Sequence, residues 1–331
     1  MLRYLVLTSL LLSSSICFAG KAPAERIHLT KLSKEAENAI TKGLSWLKRN
    51  QNEDGSFGQK YKITYTSVAL MAFMVQGHVP DEGIYGKNMD RCISYLIRRA
   101  RKHNGYFADE TSNLLYQHSY ATLALAEAWG HSKRSDIGPV LKRAVNILFR
   151  SQSRDGGWHY QPNSGSGSDI SCTVAAVQAL ASAGEAGIRI PESVINRAKR
   201  CVRRYQNPRT GKFGYSAGGA GNGTIYQAGA GPLSLYMLGD RSSTQLKRGI
   251  ATLFKYPPSA IVSEADHLAH YYCIQASYQK GPKLYEHWYN AISKALIKKQ
   301  SPGGGWSDPF KTGLAVLILA VPYRYLPIYQ R

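Results

Sequence analysis

The sequence predicts an all-α protein, an α/α toroid of six helical hairpins with six helices in an inner ring and six in an outer ring. Three observations point there. A segment of about fifty residues recurs along the chain, which marks a repeat architecture. Each copy pairs an amphipathic stretch with one that is apolar nearly all round. No stretch shows the apolar–polar alternation of a half-buried strand.

The elements follow in order. Residues 1–20, "MLRYLVLTSLLLSSSICFAG", have a basic start at Arg3, an apolar run from Leu5 to Leu12 and small residues before Gly20. That layout is a secretory signal peptide. The protein is therefore expected to be secreted or periplasmic. Residues 31–331 are expected to form a single toroid. Its outer helices are plainest in "KGLSWLKRNQNEDGSF" (Lys42 to Phe57), "RAVNILFRSQSRDGGW" (Arg143 to Trp158), "RAKRCVRRYQNPRTGKF" (Arg197 to Phe213) and "AISKALIKKQSPGGGW" (Ala291 to Trp306). Apolar or small residues sit eight, five and four positions before Gln51, Gln152, Gln206 and Gln300, on one helical face. A Gly-containing turn and an aromatic residue follow each glutamine. Two degenerate copies fill the gaps, with Ala100 and Pro257 in the glutamine position.

Between these anchors run the inner helices, among them "TSVALMAFMVQG" (Thr66 to Gly77), "YATLALAEAWG" (Tyr120 to Gly130) and "CTVAAVQALASAG" (Cys172 to Gly184). A helix without a polar face is buried. The last one, "KTGLAVLILAVPY" (Lys311 to Tyr323), is as apolar as the middle ones. A linear solenoid would end in a polar capping repeat, so the pattern favours a closed ring.

The formal charge is +21. A basic exported protein suits an anionic partner, such as an acidic glycan or a membrane surface, and nothing points to a specific nucleic acid. The runs "RRARK" (Arg98 to Lys102) and "KRCVRR" (Lys199 to Arg204) also fall at helix ends, where cations meet the helix dipole. Cys92, Cys172, Cys201 and Cys273 fall on helices of repeats two to five, with neither like pair on ring neighbours, and are expected as thiols.

The glutamine–glycine–aromatic repeat resembles the QW motif of squalene and oxidosqualene cyclases, and more broadly the prenyltransferase and squalene-cyclase repeat superfamily. Gly43, Trp46, Leu47, Gln51, Gly55 and Phe57 carry it in the first copy; Ala144, Ile147, Leu148, Gln152, Gly156 and Trp158 carry it in the third. The resemblance implies that the glutamines tie outer-helix ends together. It also implies where chemistry would sit. Cyclases of this kind protonate an alkene with the middle aspartate of "DxDD" followed by Thr. In "DISCT", Asp169 and Thr173 fit, but Ser171 and Cys172 replace the two later acids. Such cyclases are also expected to use two toroids, where this chain offers one. Standard cyclase chemistry is therefore not supported. The prenyltransferase zinc set of Asp, Cys and His has only Asp169, Cys172, His267 and His270 as weak stand-ins, at the wrong spacing. No cofactor is predicted; the ligand types suit zinc, but the spacing argues against it.

Aligning the inner helices on their terminal glycines places Asp169, Asp266 and Asp308 at helix starts of matching height. Aspartate there caps helices. The three also form candidate acids and bases around a mouth. Tyr65, Tyr116, His118, Tyr226, His267, His270 and Tyr271 are candidate ligand-binding residues below it. The main expectation is a central cavity that binds a hydrophobic or isoprenoid-like ligand, or a partner. The alternative is a toroid enzyme, either a lyase or hydrolase of an acidic polysaccharide or a divergent terpene cyclase.

Overall fold

A computed structural model describes residues 32–108, 113–162, 167–217, 223–258, 266–323 and 326. The predicted leader, residues 1–20, lies outside the described residues. Among the described residues there are twelve α-helices and no strand: α1 (Lys34–Arg49), α2 (Lys62–Met74), α3 (Gly86–Lys102), α4 (Leu114–Trp129), α5 (Ile137–Arg150), α6 (Ile170–Glu185), α7 (Glu192–Arg204), α8 (Ile225–Met237), α9 (Thr244–Leu253), α10 (Asp266–Lys280), α11 (Pro282–Lys299) and α12 (Pro309–Leu319).

The even-numbered helices form the inner ring. Each packs on the next, and α12 packs on α2, so the ring closes. The odd-numbered helices surround them, each against the preceding inner helix (α12 for α1), and α1, α5, α7, α9 and α11 also against the inner helix that follows. Burial follows the sequence pattern. In α6, Val174, Ala176, Ala179 and Ala183 are fully buried. The outer helices α1, α3, α5 and α7 bury one face only. The fold is an α/α toroid.

The glutamines bolt neighbouring outer helices together. Gln51 Nε2 donates to the Gly55 carbonyl (3.0 Å) in its own turn and to the Asn88 carbonyl (3.0 Å) on α3. Gln152 does the same with Gly156 and Val194, and Gln206 with Gly211 and Gln245. Gln300 reaches Gly304 and Ala39, both at 2.8 Å, which joins the last outer helix to the first. The distant acceptor always lies twelve residues before the next anchor position: 88 before 100, 194 before 206, 245 before 257, 39 before 51. Arginines on the following helix add further ties. Arg91 and Arg98 donate to carbonyls of the first turn, Arg197 and Arg204 to those of the third, and Arg248 to Pro208. Part of the basic excess is thus structural.

Repeat two lacks its glutamine, and His118 on α4 replaces the missing bolt. Its Nδ1 accepts from the Phe107 N–H (3.2 Å) and its Nε2 lies 3.0 Å from the Ala144 carbonyl on α5. In repeats one, three and six a threonine takes the equivalent N–H: Thr66 for Phe57, Thr173 for Trp158, Thr312 for Trp306.

Candidate functional site

Each hairpin runs from an outer helix, through its glycine turn, to the start of an inner helix. The starts of all six inner helices therefore share one face of the ring, the mouth face. Asp169 and Asp308 sit there as N-caps. Asp169 Oδ1 accepts from the Cys172 N–H and Asp308 Oδ1 from the Lys311 N–H, both at 2.9 Å. Asp266 is the first residue of α10.

The three aspartates occupy two different surroundings. Asp308 is ion-paired with Lys311 at 3.4 Å. His267 lies near both, and near Asp266 and His270. Burial, then the Lys311 charge, pushes His267 down to about 4, and neither ring nitrogen has a hydrogen-bond partner. It is therefore a neutral imidazole at neutral pH. Asp169 stands on α6, which faces α12 across the ring. Its backbone is pinned: its N–H donates to Trp158 and the Ile170 N–H to Tyr215. The side chain is 3% exposed. Oδ2 is buried with no hydrogen-bond partner. Burial raises its pKa against the opposing pull of the Cys172 and Ser171 N–H groups.

Aromatic rings make the wall below. Tyr116 packs on Tyr160 (6.2 Å between centroids) and on Tyr120 (5.1 Å); Tyr65 stacks on Phe310 (5.3 Å); Tyr226 meets Tyr272 edge-on (5.3 Å). Tyr65, Tyr116, Tyr160 and Tyr226 are half-buried. Burial raises the phenols of Tyr116, Tyr160 and Tyr226, so they stay neutral. Tyr271 is buried against Tyr272.

Two expectations need correction. The central cavity is one. Tyr120 on α4 and Tyr272 on α10, opposite members of the inner ring, share a hydrogen bond of 2.8 Å. A second bridge, Gln178 to Gln275 (3.0 Å), crosses between α6 and α10. Side chains thus close the ring's centre below its mouth face. The second concerns His118 and His270. Both are fully buried; His118 is committed to backbone groups, and the His270 ring packs 5.5 Å from Trp288 on the outer helix α11. Neither lines the mouth. The weak zinc stand-ins, too, stay apart. Among the described residues no three His, Cys, Asp or Glu side chains gather with metal-binding geometry. Asp169 and Cys172 share α6 while His267 and His270 share α10. Burial, and then the Asp169 charge, raises the Cys172 thiol, whereas zinc needs a thiolate. These residues do not fit the metal.

Sequence reasoning missed Tyr120, Tyr160, Tyr215, Tyr272, Phe310 and Lys311. Tyr160 and Tyr215 had a usable signal. Both lie two residues after the repeat's aromatic, as Asp308 does.

The fold defines the class: an α/α toroid, here with a buried carboxyl beside a cluster of tyrosines at one end of the ring. No protein-family model and no curated protein sequence matches the chain. Solved structures do. An α-1,6-mannanase of Salegentibacter, crystallised with α-1,6-mannotriose, is 9% identical with a TM-score of 0.66, over 88% of this chain and 99% of that one. A type II terpene cyclase from Scytonema, in complex with geranylgeranyl dihydroxybenzoate, is 13% identical with a TM-score of 0.61, over 88% and 98%. A D-mannose isomerase is 14% identical with a TM-score of 0.64, over 88% and 97%. At these identities the likeness is one of fold. It also corrects an expectation. The Scytonema cyclase chain is matched almost entirely, so one toroid's length does not argue against a cyclase.

Proposed function

We propose that the protein is an exported α/α-toroid enzyme of the squalene-cyclase and prenyltransferase repeat kind. Asp169 protonates an apolar, isoprenoid-like substrate seated in the tyrosine-walled mouth. The observation that carries this is Asp169 Oδ2, a buried carboxyl oxygen without a partner. Burial favours its protonated form. The Cys172 N–H and the positive end of α6 stabilise the carboxylate left when the proton goes. In the reaction an alkene's π pair takes the Asp169 proton, and a cation develops on the neighbouring carbon. The faces of the Tyr65, Tyr116, Tyr160 and Tyr226 rings stabilise that cation. His267, neutral and with free ring nitrogens, accepts the proton that the cation finally loses. Ser171 and Cys172 stand where the cyclase motif keeps its further acids, so the chemistry is divergent. The toroid enzymes of similar fold support an enzyme over a simple binder.

A second reading is favoured by Asp308. Its ion pair with Lys311 sets a carboxylate across the ring from Asp169, whose pKa burial raises. Glycoside hydrolysis uses such an acid–carboxylate pair. One experiment separates the readings. Purified protein is incubated with squalene and shorter polyprenyl compounds, and in parallel with uronic-acid polymers and α-mannan, with products followed by mass spectrometry. Cyclised or isomerised polyprenyl products that vanish in Asp169→Asn support the proposal. Cleaved glycan supports the second reading. Tight polyprenyl binding without turnover returns the protein to the ligand-binding class.

A further inference from the structure

Charge in this chain is segregated by ring. The six inner helices hold three cations, Lys62, Lys280 and Lys311, against three acids, Glu127, Glu185 and Asp266. The six outer helices hold twenty-four Lys and Arg against five acids. Elsewhere in the sequence fifteen cations meet thirteen acids, Asp155, Asp169 and Asp308 among them. Almost all of the net +21 is therefore on the outer wall. It is also uneven around the wall. The helices α3, α5 and α7, consecutive in the outer ring, carry fourteen cations against Asp90 and Glu192. The helices α1, α9 and α11 carry ten against Glu35, Glu37 and Glu286. Acids within and beside the richer sector are already engaged: Arg134, from the loop before α5, pairs with Asp90 (3.7 Å) and Asp136 (2.8 Å), and Arg203 pairs with Asp240 (2.6 Å). Lys87, Arg101, Lys102, Lys142, Arg150 and Arg200 are exposed on it. Its bracing arginines, Arg91, Arg98, Arg197 and Arg204, bond neutral carbonyls and so keep their charge. The joints at His118 and Gln152 hold the three helices side by side.

We infer that this sector of the outer wall, over α3, α5 and α7, binds a linear acidic polysaccharide with one carboxylate per sugar. The inference goes beyond the proposed function and does not rest on it. Charge complementarity supplies the attraction, and the arginine fork matches a carboxylate with two parallel bonds. The spacing and composition of the sector select this class of polyanion. Neighbouring helices stand about 10 Å apart, so their cations suit spaced carboxylates. A nucleic acid duplex carries one charge per about 1.7 Å, much denser than that array. Single-stranded nucleic acid stacks its bases on aromatic side chains. The large apolar side chains exposed among the described residues are Tyr61, Ile84, Tyr215 and Phe254, none of them on α3, α5 or α7. A bilayer surface likewise engages interfacial aromatic residues, which this sector lacks.

The test measures the Kd of the full chain for immobilised alginate, with dextran as the uncharged control. Binding is expected to alginate only and to weaken with salt. A variant with Arg101→Glu, Lys142→Glu, Arg150→Glu and Arg200→Glu should raise the Kd by about tenfold or more. A second variant, with Lys34→Glu, Lys48→Glu, Lys283→Glu and Lys294→Glu on α1 and α11, changes the net charge equally. It should raise the Kd by no more than about threefold, because its positions lie outside the sector. Thermal unfolding checks that both variants fold. If either does not, Gln at the same four positions removes charge without reversing it and carries the same comparison. Asp169→Asn should bind alginate as the wild type does. Equal loss in the two reversal variants overturns the inference, since net charge alone would then explain binding. So does failure to bind alginate, or loss of binding in Asp169→Asn, which would move the glycan to the mouth. Tighter binding at the same salt to an oligothymidylate, to duplex DNA or to vesicles containing phosphatidylglycerol also overturns it.

Discussion

Asp169 has an observed role and a proposed one, and one pair of substitutions pulls them apart. Oδ1 caps α6 through the Cys172 N–H at 2.9 Å, while the proposed acid is Oδ2, buried without a hydrogen-bond partner. Asp169→Ala removes both roles; Asp169→Asn keeps an oxygen for the cap and removes the acid. Loss of a cap costs about 0.5–2 kcal/mol. The Ala variant should therefore lose about 1 kcal/mol, or about 2 °C in Tm. The Asn variant should behave differently. The folded pKa of Asp169 lies above its ordinary value of 3.8, because burial disfavours the carboxylate. Such a group favours the fold fully below the unfolded pKa, and that contribution is lost as pH rises through the folded value. At neutral pH the wild type carries a cost that the neutral amide avoids. Asp169→Asn should melt at or above wild type at pH 7, with the difference shrinking toward pH 3.8. Its turnover should fall by about 10²–10⁴, the usual worth of a general acid. The assays are product formation from polyprenyl substrates and thermal unfolding across that pH range. An Asn variant that keeps its activity, or that loses as much stability as the Ala variant, would refute the reasoning.

Further outcomes follow from the same geometry. His118 and His267 are both pushed from 6.5 down to about 4, chiefly by burial, so each favours the fold above 6.5 and that stability is lost as pH falls toward 4. Calorimetry should show proton uptake on unfolding in that window, and His267→Gln should reduce the uptake while sparing the pH 7 Tm. Gln152→Ala strands the Gly156 and Val194 carbonyls and should cost about 1–3 kcal/mol in urea unfolding. Gly156 has φ +95°, and a Cβ there would lie 2.4 Å from the Arg197 carbonyl oxygen; Gly187 has φ +90° and open space. Gly156→Ala should destabilise by at least about 2 kcal/mol more than Gly187→Ala, because only the first adds a backbone clash to the shared strain.

The fold was legible because the repeat writes it several times. Gln51, Gln152, Gln206 and Gln300 recur at one register, and the structure gives each the same pair of carbonyl acceptors. The starts of α6 and α12 were readable for a similar reason, since Asp169 and Asp308 both cap. The role of His118 was not. A histidine on an inner helix suggested a ligand, whereas it completes a joint whose glutamine has become Ala100. Only knowing which side chain bridges α4 and α5 decides that. The closed centre was equally hidden. Helical spacing puts Tyr116 and Tyr120 on one face of α4, but not Tyr272 on α10 within reach of them. That contact depends on the ring's diameter, which no local pattern encodes.

The site lies where the repeat breaks its own pattern. The glutamine, glycine and aromatic positions hold the ring together, so they vary little between copies. Two residues after the aromatic, the chain passes from the turn toward the inner helix and is free of that duty. The occupants there are Gln59, Asp109 (outside the described residues), Tyr160, Tyr215 and Asp308. Tyr160 and Tyr215 bond each other beside Asp169, and Asp308 pairs with Lys311 on the far side of the mouth. One turn position thus supplies three residues of the mouth from three repeats. If these positions serve the substrate and not the ring, Tyr160→Phe and Tyr215→Phe should change turnover or product pattern while shifting Tm by less than Gln152→Ala does. A double substitution that unfolds the ring as readily as loss of a glutamine bolt would assign the pair to the scaffold instead.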